Sequence, residues 1–201
     1  MNPIKRIQYN SPVILTFALI SLLALGIAEL TDGVSTALFF SVYRSSPLDP
    51  LTYIRIFGHV IGHANMSHLF NNFMLILLVG PMLEERYGAK DLLLMMAITA
   101  LVTGVLHILI NDSGKLGASG IVFMMILLSS FTNLQRGKIP LTLILAMIIF
   151  VGREFLASAN ADASNNIAYM SHIVGGLCGA VFGFLANRDT LNSSGYDKRT
   201  Y

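Results

Sequence analysis

The sequence predicts an all-α, polytopic membrane protein with six transmembrane helices, and three observations carry that expectation. Hydrophobic residues make up 54% of the chain and charged residues 12%, against about 25% charged in soluble domains. Mean hydropathy is +0.67. Six apolar runs are separated by polar breaks, in the pattern of successive membrane helices. The 201 residues allow one domain and leave no room for a large soluble one. A net charge of +2 without a basic cluster excludes nucleic acid as a partner. The one cysteine, Cys178, lies inside an apolar run, which excludes an internal disulfide and a metal site built on several thiolates.

Residues 1–11 form a polar N-terminal segment carrying Lys5 and Arg6. The first span is Val13 to Ala28. Its basic start, apolar centre and Gly26-Ile27-Ala28 also fit a signal peptide, but the spans downstream pair better with this one retained. Residues 29–65 are a long connection in which Leu38, Phe39, Phe40, Val42 and Tyr43 are broken up by polar residues. Loops of this length are usually functional or disordered, and the aromatics favour a segment lying in the membrane interface.

The second span is His68 to Leu83, ended by Pro81 and Glu84-Glu85-Arg86, and the third is Leu92 to Ile110. The fourth is Ser119 to Phe131. The fifth, Pro140 to Leu156, has its proline in the first turn, where a missing N–H costs little. A polar loop, 157–166, leads to the sixth span, Ala168 to Ala186. The expected organisation is therefore a cytoplasmic segment (1–11), a six-helix membrane domain (12–187) and a cytoplasmic disordered tail (188–201).

Six spans bring both termini to one side. Nine of the 13 Lys and Arg residues then fall on that side, and only Arg44, Arg55, Lys115 and Arg153 on the other. The positive-inside rule puts both termini in the cytoplasm. Ser119 then lies at the outer end of the fourth span, and His172 near the outer end of the sixth.

Gly117-Ala118-Ser119-Gly120 sits where a polar break, 111–115, becomes an apolar helix. A serine there has its own N–H among the unpaired donors of a helix start, and flanking glycines leave room for a reacting carbonyl. Read alone, Ser119 is an N-cap or a packing residue. Other polar groups in apolar surroundings change that reading, because ionisable groups at membrane depth are costly and usually face a protein interior or a wet cavity.

His172 is followed by Gly175, Gly176, Gly179 and Gly183. At 100° per residue the last three fall within about 40° of the His172 face, and Gly175 about 60° away. Small residues four apart let two membrane helices approach closely. If the neighbour is the fourth span, His172 meets Ser119, whose hydroxyl is a poor nucleophile until a base takes its proton. His68 and Asn72 share one helix face and both donate hydrogen bonds. Beside a backbone N–H they would make an oxyanion hole, or, with no such task, bond helices together. Phe123, one turn after Ser119, would lie against the His172 ring and hold its plane, or simply belong to the core. Asp112, Glu154 and Asp162 give no reason to pick any one as a third member, so the expected machinery is a dyad.

Taken together these residues resemble the rhomboid family of intramembrane serine proteases, in its minimal six-span bacterial form, from about Tyr53 to Gly183. The family's His-x-x-x-Asn falls on His68 and Asn72. Its Gly and Glu-x-Arg fall on Gly80 and Glu84-Glu85-Arg86. Its GxSG falls on Gly117 to Gly120, and its His-x-x-Gly-x-x-x-Gly on His172, Gly175 and Gly179. The resemblance implies a six-helix bundle with a shortened fourth helix starting below the membrane surface in a water-accessible cavity. It implies Ser119 and His172 as catalytic, His68 and Asn72 as oxyanion-binding, and Phe123, Gly117, Gly120, Gly175 and Gly179 as supporting. His63 and Arg55 match positions that stabilise the loop–helix junction, and the fifth span with the loop at 157–167 would be the cap and gate for substrate. The substrates implied are transmembrane segments of membrane proteins, cut near the outer leaflet of a cell (plasma or inner) membrane, with no cofactor and no metal. Two departures stand out. Ile54-Arg55 replaces the common Trp-Arg, and Phe123 keeps the ring but not the hydroxyl of a common Tyr.

Two other classes compete. A haem or metal protein would use histidines such as His59 and His63, four apart, but would leave Ser119 without a task. His107, alone in the third span, reads as structural. A transporter would show internal repeats, and none is found.

Overall fold

A computed structural model describes residues 9–132 and 166–196 and, between them, residues 141, 144, 145, 148, 149 and 152. The chain forms two compact units, Met1–Ala118 and Ser119–Tyr201. The first contains α1 (Pro12–Leu30), a π-helical turn (Thr36–Phe40), α2 (Pro50–Gly58), α3 (Met66–Tyr87) and α4 (Ala89–Ile110). The second contains α5 (Ser119–Thr132) and α6 (Asn166–Tyr196). Among the described residues every regular element is a helix, and one isolated antiparallel bridge joins Val42 to Lys115 in the connecting segments. Three helices, α1, α3 and α4, are long and apolar enough to cross a membrane, and 119–131 and 171–186 are shorter apolar helices. Most of the expected fifth span and the loop after it lie outside the described residues.

α1 begins with Pro12 at its first position, where the fixed φ suits a helix start and no N–H is needed. The next two N–H groups would be orphans of the helix end. Instead Val13 N–H donates to Glu84 Oε1 at 3.0 Å and Ile14 N–H to Oε2 at 3.1 Å. One carboxylate from α3 thus closes the N-terminus of α1, where the helix dipole favours negative charge. One turn earlier, Gly80 lets the helices close up: a Cβ there would lie 2.6 Å from Ile14 Cδ1. Ile14 and Leu83 are completely buried in this seam, and Phe17 packs on Phe73 with ring centroids 5.2 Å apart.

Pro81 does not end α3, contrary to what its missing N–H suggests. The helix runs through it to Tyr87. One lost backbone bond is outweighed where the following turn is held by Glu84 on α1. The break comes instead at Gly88, whose φ of +85° reverses the chain directly into α4. α3 starts at Asn65, whose Oδ1 accepts the N–H of His68 at 2.9 Å, a side-chain N-cap. α6 continues to Tyr196, beyond the Asn187 at which the composition turns polar. Extending a nucleated helix needs backbone bonds, not an apolar sequence.

The long connection is not featureless. Asp49 caps α2 through the Leu51 N–H at 3.0 Å. Its other oxygen pairs with Arg55, which holds the Asp49 carboxyl below its ordinary value. The Arg55 guanidinium is itself buried and lies over the Tyr43 ring, 4.6 Å from its centre. Arg55 therefore staples α2 to the segment before it. α2 packs against α4 at Gly104, where a Cβ would lie 2.9 Å from the Ile56 carbonyl oxygen.

Candidate active site

In the first unit, three of the expected site residues converge. His68 lies in the first turn of α3 and Asn72 one turn on. Both face the α-carbon of Gly117, where a Cβ would stand 2.8 Å from His68 Nε2 and 3.8 Å from Asn72 Nδ2. Only glycine fits, and its φ of +119° is a conformation that L side chains rarely adopt. The Ala64 N–H approaches His68 Nδ1 at 3.5 Å. That contact keeps Nδ1 as the acceptor and leaves the ring proton on Nε2, the atom toward Gly117. Asn72 is 3% exposed, and its Nδ2 has no hydrogen-bond partner among the described residues. A buried amide donor left unpaired is costly, and such a group calls for an explanation.

The loop that presents Gly117 is tied down. The Gly117 N–H donates to the His59 carbonyl at 2.8 Å, and Lys115 exchanges both backbone hydrogen bonds with Val42. The Lys115 side chain turns inward, and its Nζ is buried without a hydrogen-bond partner among the described residues. Burial pushes its pKa down to about 8.

In the second unit, α5 and α6 pack backbone to backbone. A Cβ on Gly175 would meet the Gly120 carbonyl oxygen, and one on Gly179 the Met124 carbonyl oxygen. Gly183 faces the Phe131 ring. The seam therefore uses Gly175, Gly179 and Gly183, four apart, whereas Gly176 makes only ordinary 3.7 Å contact with Leu127. This differs from the helical-wheel estimate, which set Gly176 nearer the His172 face than Gly175. The contact line tilts across the wheel because two helices cross at an angle. His172, buried at 5% exposure, stacks on Phe123 with centroids 4.5 Å apart and planes 12° from parallel. Ser119, the first residue of α5, is half-buried one turn before Phe123. The stack holds the plane of the imidazole.

The remaining histidines take up backbone carbonyls. His59 Nδ1 bonds to Ile56 O at 2.9 Å, His63 Nδ1 to Ile61 O at 3.0 Å, and His107 Nε2 to Ser113 O at 2.7 Å. Among the described residues no three His, Cys, Asp or Glu side chains are grouped as ligands for a metal. His63 also sits edge-on to His68, with centroids 5.1 Å apart.

Burial, then Lys115, lowers the His59 pKa to about 3; burial, then His68, lowers that of His63 to about 4. Both stay neutral in the folded state, while in the unfolded chain they protonate near pH 6.5. The unfolded state therefore binds more protons below that pH. Stability is expected to fall as pH drops from about 6.5 through 4, by on the order of 1 kcal/mol per histidine per pH unit. Thermal unfolding of the detergent-solubilised protein at pH 7, 6 and 5 measures this. His59→Gln should flatten the slope, and an unchanged slope would rule His59 out as its source.

Three features escaped the sequence pattern. The tight fit of Gly117 on His68 was signalled only by a glycine in a motif. Burial of Lys115 runs against its residue type. Arg44 bonds to two carbonyls of α4 and to Asp112 with no local sequence cue.

Comparison with known proteins identifies the family. Residues 50–189 match the family model described as Rhomboid domain. Among curated relatives, the Rhomboid protease GlpG of Salmonella paratyphi A (strain ATCC 9150 / SARB42) is 27% identical over 158 residues, covering 76% of this chain and 55% of the relative. The proteins of the same name from Salmonella newport (strain SL254) and Salmonella heidelberg (strain SL476) are 26% identical over the same shares. The chain thus spans about half the length of the curated relatives it matches.

Proposed function

Because the chain belongs to the rhomboid family, we propose that it is an intramembrane serine endopeptidase in which Ser119 is the nucleophile and His172 its base. The observation that supports the dyad most directly is the α5–α6 seam. Gly175 lies on the Gly120 carbonyl and His172 on Phe123, so the turns carrying serine and histidine belong to one tightly packed helix pair. The orphaned Asn72 amide supports the second half of the reading, an oxyanion hole made of His68, Asn72 and the Ser119 N–H.

The chemistry follows from these roles. His172 accepts the Ser119 Oγ proton as Oγ bonds to the scissile carbonyl carbon. The carbonyl oxygen takes up the negative charge, and preorganised donors stabilise it. His172 then gives its proton to the leaving amine, and a water molecule, deprotonated by the same imidazole, releases the acyl group and restores Ser119. No cofactor or metal enters.

The substrates are transmembrane segments of membrane proteins. A helical peptide hides its carbonyl from attack, so the cleaved segment must unwind. Gly, Pro and other weak helix formers near the outer leaflet favour that step, with small residues at the cut bond. The protein works in the cell membrane as a six-span bundle with both termini cytoplasmic, the fifth span and its following loop gating substrate entry.

The test is labelling of the purified wild-type protein with a tagged fluorophosphonate, with the modified residue mapped by peptide mass. Modification at Ser119 is expected, because such a probe reacts only with an activated serine. A well-folded protein that stays unlabelled overturns the reading. Asn72→Ala is expected to slow cleavage of a transmembrane substrate by on the order of 10²–10³ if its amide is one oxyanion donor. Cleavage at the wild-type rate would remove that assignment.

A further inference from the structure

The loop that delivers Gly117 to His68 is held from outside by a short strap, Val42 to Arg44, which belongs to none of the family motifs quoted above. The Arg44 guanidinium makes three contacts. Nε donates to the Ile108 carbonyl and Nη2 to the Leu109 carbonyl, each at 3.0 Å. Nη1 pairs with Asp112 Oδ1 at 2.7 Å. Ile108 and Leu109 are in the last turn of α4, where carbonyls lack helical partners and the dipole favours a cation. Two residues earlier, Val42 is fully buried and exchanges both backbone hydrogen bonds with Lys115, at 2.8 and 2.9 Å. The strap therefore grips the loop at 112 and again at 115. Between the grips, His107 donates to the Ser113 carbonyl. Beyond them, Gly117 bonds to His59 and lies against His68.

We propose that Arg44 is a positioning residue of the candidate site. By fixing the end of α4 to the strap, it sets the register of loop 111–117, and so the fit of Gly117 against His68 and Asn72. The effect on catalysis rests on the protease reading given above; the mechanical role does not. Slippage of the loop by a fraction of an ångström moves Gly117 against a face with no spare room, since a Cβ there already overlaps the imidazole. Oxyanion donors work through preorganised geometry, so the loss falls on the transition state and not on substrate binding. The task needs a planar fork with several donors. Lysine offers a single ammonium and does not replace it.

The experiment compares wild type, Arg44→Ala and Arg44→Lys as full-length proteins in detergent micelles, with three readouts. Fluorophosphonate labelling and kcat for a transmembrane substrate are expected to fall about tenfold in both variants with KM little changed. Amide hydrogen exchange at Lys115 and Gly117 is expected to speed up about tenfold. Thermal unfolding should move by only a few degrees, because Arg44 and Asp112 are largely exposed and such ion pairs add little to global stability. Wild-type labelling in Arg44→Ala, or slower labelling with unchanged exchange at Lys115 and Gly117, overturns the proposal. Full rescue by Arg44→Lys overturns the requirement for the fork. If wild type itself is never labelled, the protease reading fails and hydrogen exchange alone decides whether Arg44 holds the loop.

Discussion

Ser119→Ala is expected to lower cleavage of a transmembrane substrate by about 10⁴-fold or more, and His172→Ala by a comparable factor. Neither loss should add to the other, since nucleophile and base act as a unit. The two variants should differ in stability. Ser119 is half-buried and its hydroxyl is small, so its loss leaves the fold's thermal transition almost unmoved. His172 is buried and stacked on Phe123, so its removal leaves a cavity and ends a ring contact, costing about 1–3 kcal/mol. Kinetics and thermal unfolding on the same preparations separate the effects. A Ser119→Ala protein that still cleaves at more than a few per cent of the wild-type rate would eliminate Ser119 as nucleophile.

Gly179→Val is expected to be among the most destabilising single changes in the second unit. A Cβ at 179 would meet the carbonyl oxygen of Met124, which is backbone inside a helix and cannot swing away. α6 must therefore move off α5, and overpacking of this kind costs about 3 kcal/mol or more. Gly175→Val should behave likewise against Gly120, with the added result that His172 leaves Phe123 and activity is lost. The control is Gly176→Ala, four residues after His172. Its Cβ would find only Leu127 side-chain atoms at 3.7 Å, and it should be tolerated within about 0.5 kcal/mol. Unfolding measured in detergent for the three variants checks the ordering. Equal effects at 176 and 179 would mean that the seam is not the one described.

That contrast shows how far the sequence reaches. The glycine run in the last helix announces close packing, but the helical wheel sets 176 nearer the His172 face than 175, the reverse of what the seam uses. Which of them bear on backbone depends on where the partner helix crosses, and that is set by side chains distant in sequence. Phe123 and His172 are similar. A helical period puts Phe123 on the Ser119 face, while the stack itself requires two helices to meet.

The apolar runs fixed by composition reappear as α1, α3, α4, α5 and α6, because a segment in lipid must satisfy its own backbone groups and only a helix does so within one run. Helix ends were less legible. Pro81 reads as a stop and lies inside α3, whereas Gly88, unremarkable in the pattern, makes the turn. Local propensity sets the cost of each alternative, and Glu84 on the N-terminus of α1 decides between them.

The sequence by itself determined the helical membrane class, the family and the residue types available for catalysis, since these depend on local composition and on short motifs. Only the tertiary structure decided that His68 and Asn72 share the α-carbon of Gly117, that the Asn72 amide finds no partner among the described residues, and that Arg44 bonds to the end of α4 and to Asp112. Those facts are contacts between segments 40 to 70 residues apart. They arise when backbone carbonyls and buried amides seek partners, and a linear pattern of residue types does not encode which partner each one finds.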